Sequence, residues 1–148
     1  MERLNKLNKV IDIIKGSSFS VESPIIDGDK AIVKLDTDLA KLDKNTNQHE
    51  LKKDDIKNYW LENDQIKRSL NEGAFKLLLE LPFINTVKLT LNFENKDYTI
   101  ELNRNDFEKY VKKDFDSISN NWQAEFSDRF VHDENGRREF FNTFTAIH

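Results

Sequence analysis

The sequence contains no cysteine, and that absence removes disulfides, thiol nucleophiles and thiolate metal sites together. Glycine is scarce, with four residues, and neither G-x-G-x-x-G nor G-x-x-x-x-G-K-[ST] occurs, which excludes the common phosphate-cradling loops. There is no G-x-S-x-G elbow to present a serine nucleophile. No stretch approaches the roughly 20 apolar residues of a membrane span, so no membrane-spanning segment is expected. The start, Met1-Glu2-Arg3-Leu4-Asn5-Lys6-Leu7, lacks the apolar run of a signal peptide. Neither sign of charge dominates. The 23 basic and 27 acidic side chains are interspersed and leave a net charge of −4, so no field exists to hold a nucleic-acid backbone and no nucleic-acid partner is expected.

What is present is enough for one core. At 148 residues the chain fits a single domain spanning 1–148, and 37% hydrophobic residues with eleven Phe, two Trp and three Tyr supply bulky interior material. Leu4, Leu7, Ile11 and Ile14 recur at helical spacing before Gly16, which predicts a helix over 2–15. Phe19 and Val21 alternate, Pro24 limits that segment to an edge, and Asp27-Gly28 precedes the alternating Ala31, Val33 and Leu35; the pattern predicts a hairpin. Residues 43–55 read as a solvated loop. Leu70, Ala74, Leu77, Leu78 and Leu81 keep helical spacing up to Pro82, with a break near Asn63-Asp64, where either residue could cap a second segment.

Val87, Leu89, Leu91 and Phe93 alternate with polar residues, a turn over Asn95-Lys96-Asp97 follows, and Ile100 and Leu102 alternate again. Strict alternation places these six on one buried face. Asn105 reads as the cap of a helix carrying Phe107, Val111, Phe115, Ile118, Trp122, Phe126 and Phe130, and a helical segment, with short strands as the alternative, reaches the end of the chain. The order helix, hairpin, helix, hairpin, helices predicts an α+β fold: a mostly antiparallel sheet built from two hairpins, with helices packed on one face and an aromatic-rich helical segment over 104–148.

No constellation of catalytic residues stands out, and no catalytic residue, metal site or cofactor is expected. His49, His132 and His148 form no ligand pair. Asp36, Asp38 and Glu101 are the carboxylates a small hydrolase could use, although residues after a strand serve more often as caps and turns. The C-terminal third is the most distinctive stretch, because Phe107, Phe115, Phe126, Phe130, Phe140, Phe141 and Phe144 are seven of the eleven Phe. Phe140 and Phe141 are adjacent and cannot point the same way, so one of them is expected to stay exposed. Beside Arg137 and Arg138, and with Phe144, that pair forms the predicted partner-binding patch.

The middle of the chain resembles the GerMN domain of bacterial sporulation and germination proteins. The stretches that carry the resemblance are Ile25-Ile26-Asp27-Gly28-Asp29-Lys30-Ala31-Ile32-Val33-Lys34-Leu35-Asp36, the helix Ala74-Phe75-Lys76-Leu77-Leu78-Leu79-Glu80-Leu81-Pro82, and the strand Ile84-Asn85-Thr86-Val87-Lys88-Leu89. It covers about residues 20–102; the polar insert at 43–55 and the Phe-rich tail have no counterpart. The resemblance implies a non-catalytic module outside the cytoplasm of a bacterium, carried behind a leader that is not visible here; without one, the expected compartment is the cytoplasm. The reading that results is a protein-binding or scaffold domain of the bacterial envelope or sporulation apparatus, acting through its sheet face or its aromatic tail, with a protein partner that includes the option of a homo-oligomer. An intracellular inhibitor or immunity-type protein is the alternative, and a small hydrolase comes third.

Overall fold

The computed structural model describes residues 2–14, 20–21, 24–36 and 60–148. The element order is α1 (Glu2–Ile14), β1 (Ser20–Val21), β2 (Ile25–Asp27), β3 (Lys30–Asp36), α2 (Gln65–Glu80), β4 (Thr86–Phe93), β5 (Lys96–Asn103), α3 (Arg104–Val111), α4 (Phe115–Asn120), a π-helix (Gln123–His132), α5 (Glu134–Phe144) and β6 (Thr145–Ile147). A 3-10 turn over Glu62–Asp64 leads into α2. The α+β class is as expected; the predicted loop at 43–55 lies outside the described residues.

The sheet is mixed. Its order is β1-β3-β4-β5-β6, with β2 also paired to β3, and β3 runs parallel to β4 while the other pairings are antiparallel. Both predicted hairpins form and most pairings are antiparallel as expected; the finer difference is that the hairpins join side by side through the parallel β3–β4 pair. Parallel neighbours need a crossover of a dozen or more residues. The connection from Asp36 to Thr86 supplies it, and α2 packs on β4 and β5.

Alternation dictates which face meets the helices. Ala31, Val33, Leu35, Val87, Leu89, Leu91, Phe93, Ile100 and Leu102 are all buried, while the residues between them on β4 stay half-exposed, so the predicted register holds. Leu70, Ala74, Leu77, Leu78 and Leu81, the predicted stripe of α2, are fully buried. The Asp27-Gly28 turn has Gly28 at φ +63°, where a side chain would be strained. The second hairpin turns one residue earlier than expected, on Glu94 (φ 51°) and Asn95 (φ 65°), two successive left-handed residues whose twist suits a two-residue loop.

The predicted break before α2 is real, but its cause differs from a side-chain cap. Asp64 takes a left-handed φ of 56° and its side chain does not cap the helix. At the other end, the Arg104 guanidinium donates to the carbonyls of Leu78 (2.9 Å) and Leu81 (3.3 Å), which the helix terminus leaves without intrahelical donors, and to Ile84 (2.6 Å) in the turn that follows.

The C-terminal third departs most from the pattern. Asn103, not Asn105, caps α3, its Oδ1 accepting from the amides of Asn105 and Asp106. Lys112 at φ 65° ends α3 and Asp114 caps α4. The Trp122–Phe130 stretch then widens into a ten-residue π-helix, a rare form over such a length. Asp133 caps α5, which ends directly in the edge strand β6.

Candidate functional site

The Phe-rich tail folds inward. Phe126 stacks on Phe75 from α2, with centroids 4.1 Å apart and planes 10° from parallel, and Phe107, Phe130 and Phe140 close around it. Phe140 is fully buried and Phe141 is 4% exposed, so the expectation that one of them stands in solvent is overturned. The reason lies in the position of α5, which packs against α2, the π-helix and β5. A helix wedged between layers buries positions a hundred degrees apart, where a surface helix buries one stripe. Phe140 enters the aromatic cluster, and Phe141 lies on the side of α2, where the Lys67 ammonium sits 5.7 Å from its ring. Phe144 is half-buried against Tyr110 and Phe140.

The two arginines of the predicted patch separate in the same way. Arg138 is exposed and donates to Asn135 Oδ1 at 2.9 Å. Arg137 is 5% exposed and serves the interior. It donates to the carbonyls of Val131 (2.8 Å) and His132 (3.4 Å), the last of the π-helix, and to Asp64 Oδ2 through Nε and Nη2 at 3.2 and 3.1 Å. Buried Asn71 adds a third tie, its Nδ2 donating to Phe130 O and Arg137 O. Burial pulls the Asp64 carboxyl upward, but the Arg137 hydrogen bonds and the Lys67 and Arg137 charges outweigh it and hold the group below its ordinary value. The left-handed Asp64 thus holds two cations, Arg137 on Oδ2 and Lys67 of α2 on Oδ1 at 3.6 Å, instead of capping the helix. Nothing local in the sequence marks Arg137 as the partner of Asp64 or Asn71, because it lies 73 and 66 residues from them.

The carboxylates weighed for hydrolysis do not converge. Asp36 is buried opposite Asn92, Glu101 lies opposite Lys88, and Asp38 is outside the described residues. The register separates Asp36 from Glu101 by about 13 Å along the strands and about 10 Å across them. His132 is exposed near Arg68, and His148 exchanges backbone hydrogen bonds with Asp97; His49 lies outside the described residues. Among the described residues no group of three His, Asp or Glu could hold a metal ion, and no helix is long and apolar enough to cross a membrane.

Among the described residues, two surface features bear on a partner. A shallow groove between α3, the π-helix and the start of α5 is lined by Tyr110, Asp128, Arg129, Asp133, Asn135 and Glu139. The second is the outer face of the sheet, on which no helix packs among the described residues. Side-chain hydrogen bonds cross it in rows, from Asn103 to Thr86 (2.9 Å), between Thr90 and Thr99 (2.9 Å), and from Asn92 to Asp97 (2.8 Å). Lys30 pairs with Glu101 at 3.5 Å, and Ile25, 53% exposed, sits opposite half-buried Ile32. The alternation that buries Val87 and Leu89 also dictates this face, so Lys88, Thr90 and Ile32 were readable as outward-facing.

No family model, curated protein or solved structure matches the chain.

Proposed function

We propose that the chain is a non-catalytic protein-binding or scaffold domain that meets its partner on the outer face of the sheet. One observation carries the reading. The described helices lie on one side, and the other side, on which none of them packs, carries half-buried polar rows joined by side-chain hydrogen bonds beside the exposed Ile25. Such a surface is rigid before binding, which lowers the entropic cost of association. Its mixture of an apolar pair with hydrogen-bonding groups matches the composition of non-obligate interfaces. The separation of Asp36 from Glu101 speaks against a hydrolytic pair at this face. The assignment to the bacterial envelope or sporulation apparatus follows from the GerMN-like stretches in β2, β3, α2 and β4.

The test is photo-crosslinking in extracts of the source cells. A photoreactive residue at position 90, in the centre of the outer face, is expected to trap a discrete partner or a second copy. The same residue at position 112, on the α3–α4 corner, is expected to trap none. Equal labelling at both positions, or none at position 90, would overturn the proposal.

A further inference from the structure

Asn135-Gly136 is the chain's one Asn-Gly dipeptide, and it forms the first turn of α5. We infer that Asn135 is a site of spontaneous deamidation whose rate is set by the Asp133 cap. In that reaction the Gly136 amide nitrogen attacks Asn135 Cγ and loses its proton, a C–N bond closes a five-membered imide, and the Asn135 side-chain nitrogen departs as ammonia. Water then opens the ring at either carbonyl to give aspartate or isoaspartate. Amide and water become carboxylic acid and ammonia, with no oxidant or reductant.

The geometry contains parts that favour this step and one that restrains it. Asn135 is exposed to water, and glycine at the attacking position carries no Cβ to obstruct the approach. Arg138 Nη2 donates to Asn135 Oδ1 at 2.9 Å, which draws electron density from Cγ and stabilises the negative charge that attack places on that oxygen. Against this, Gly136 N–H donates to Asp133 Oδ2 at 2.8 Å, and Arg137 N–H donates to Asp133 O at 2.8 Å. Both bonds hold the first turn helical, and a helical ψ near about −42° points the Gly136 nitrogen away from Cγ. Attack therefore waits for the turn to fray, and Asp133 is the positioning residue that governs how often it does.

The two products have different consequences for α5. An aspartate at 135 sits in the first turn, where the helix dipole favours an anion, and adds a carboxylate to the groove already lined by Asp128, Asp133 and Glu139. An isoaspartate inserts a backbone carbon just before Gly136, where even an added Cβ would overlap the Arg129 carbonyl oxygen. The isoaspartate form therefore loosens the contact between α5 and the π-helix.

The experiment incubates the full chain at mildly alkaline pH and follows each asparagine by peptide mapping with mass spectrometry. Asn135 is expected to convert before every other asparagine. Asp133→Ala should accelerate its conversion by about tenfold, the factor that loss of a helix cap confers on opening of the end. Asp133→Asn retains a capping side chain and should restore the slow rate, while conversion at other asparagines stays unchanged. If another asparagine converts first, or if Asp133→Ala matches the parent rate at Asn135, the inference fails; the order of conversion in the parent chain decides even if the variant does not fold.

Discussion

The sheet and the C-terminal third conceal their apolar side chains by different means. From Ala31 to Leu102 the strands bury alternate residues against one layer, and each strand's register follows from its own sequence. From Arg104 to Phe144 four short helical segments are wedged between neighbours, so burial covers adjacent positions such as Phe140 and Phe141. The sheet's backbone groups find partners in the ladder. The helical segments end repeatedly, and side chains from other elements meet their carbonyls: Asn71 of α2 on Phe130, and Arg137 of the next helix on Val131 and His132. The same device operates where the two regions meet, with Arg104 on the carbonyls of Leu78 and Leu81 at the end of α2. A region built from broken helices thus relies on individual polar side chains where a sheet relies on repetition.

The largest effect expected from this contrast is in the aromatic cluster. Phe126→Ala removes the ring stacked on Phe75 and contacts to Phe107, Phe130 and Phe140, and should cost about 3–5 kcal/mol, against about 2–5 kcal/mol for Leu77→Ala under the sheet. Urea denaturation of both variants measures the difference. A cost below about 1 kcal/mol for Phe126→Ala would mean that the aromatic third is not part of the same cooperative core. By the same logic Phe140→Ser should now lower stability, where an exposed anchor would have spared it.

How much of this was legible follows from the range over which each cause acts. Alternation in Val87-Lys88-Leu89-Thr90-Leu91 is local, so the strands, their buried face and the stripe of α2 could be read directly. The parallel join of β3 to β4 could not be read that way, since it depends on how α2 crosses over. The helical spacing from Phe107 to Phe130 was real as a burial pattern but concealed the left-handed Lys112, the Asp114 cap and the π-helix, each favoured by packing rather than by period. The predicted patch of Arg137, Arg138, Phe140, Phe141 and Phe144 failed as an exposed surface because counting one stripe per helix ignores a helix wedged between layers. The outer sheet face follows from the alternation and was one of the two surfaces expected to meet a partner, but no residue on it could be singled out, because polar outward residues look alike whether or not they bind.

Arg137→Met sharpens the claim that polar ties hold the broken helices. The change keeps bulk but removes the donors to Val131 O and His132 O and the partner of Asp64, and should cost about 2–4 kcal/mol in thermal or chemical unfolding. It should also change the pH dependence. The Asp64 pKa is lowered in the folded state, so its contribution is present above the ordinary carboxylate value and is lost as pH falls through the folded value. Stability of the parent chain should fall through that acid window more steeply than that of Arg137→Met or Asp64→Asn. Parallel curves for all three would remove the ion pair from the account.

Gly136→Ala probes the contact between α5 and the π-helix without touching charge. The added Cβ would overlap the backbone carbonyl of Arg129, which cannot swing aside as a flexible side chain would. Alanine otherwise favours a helix. The steric term should win, with a net loss of about 1–3 kcal/mol. A stabilised variant would show that the two segments separate readily.

The smallest effect is expected on the outer face of the sheet, and its smallness is what the contrast requires. Lys30 and Glu101 sit 3.5 Å apart with side chains 32% and 54% exposed, so water screens their attraction. Glu101→Gln should change stability by less than about 0.5 kcal/mol, far below any change in the aromatic third. If the outer face is where a partner docks, the same substitution should nevertheless alter crosslinking from position 90, because a partner reads the charge that folding barely uses. A variant that loses several kcal/mol of stability would place this pair among the ties that hold the fold, alongside Arg137 and Asp64, and would take the outer face out of contention as a surface kept free for binding.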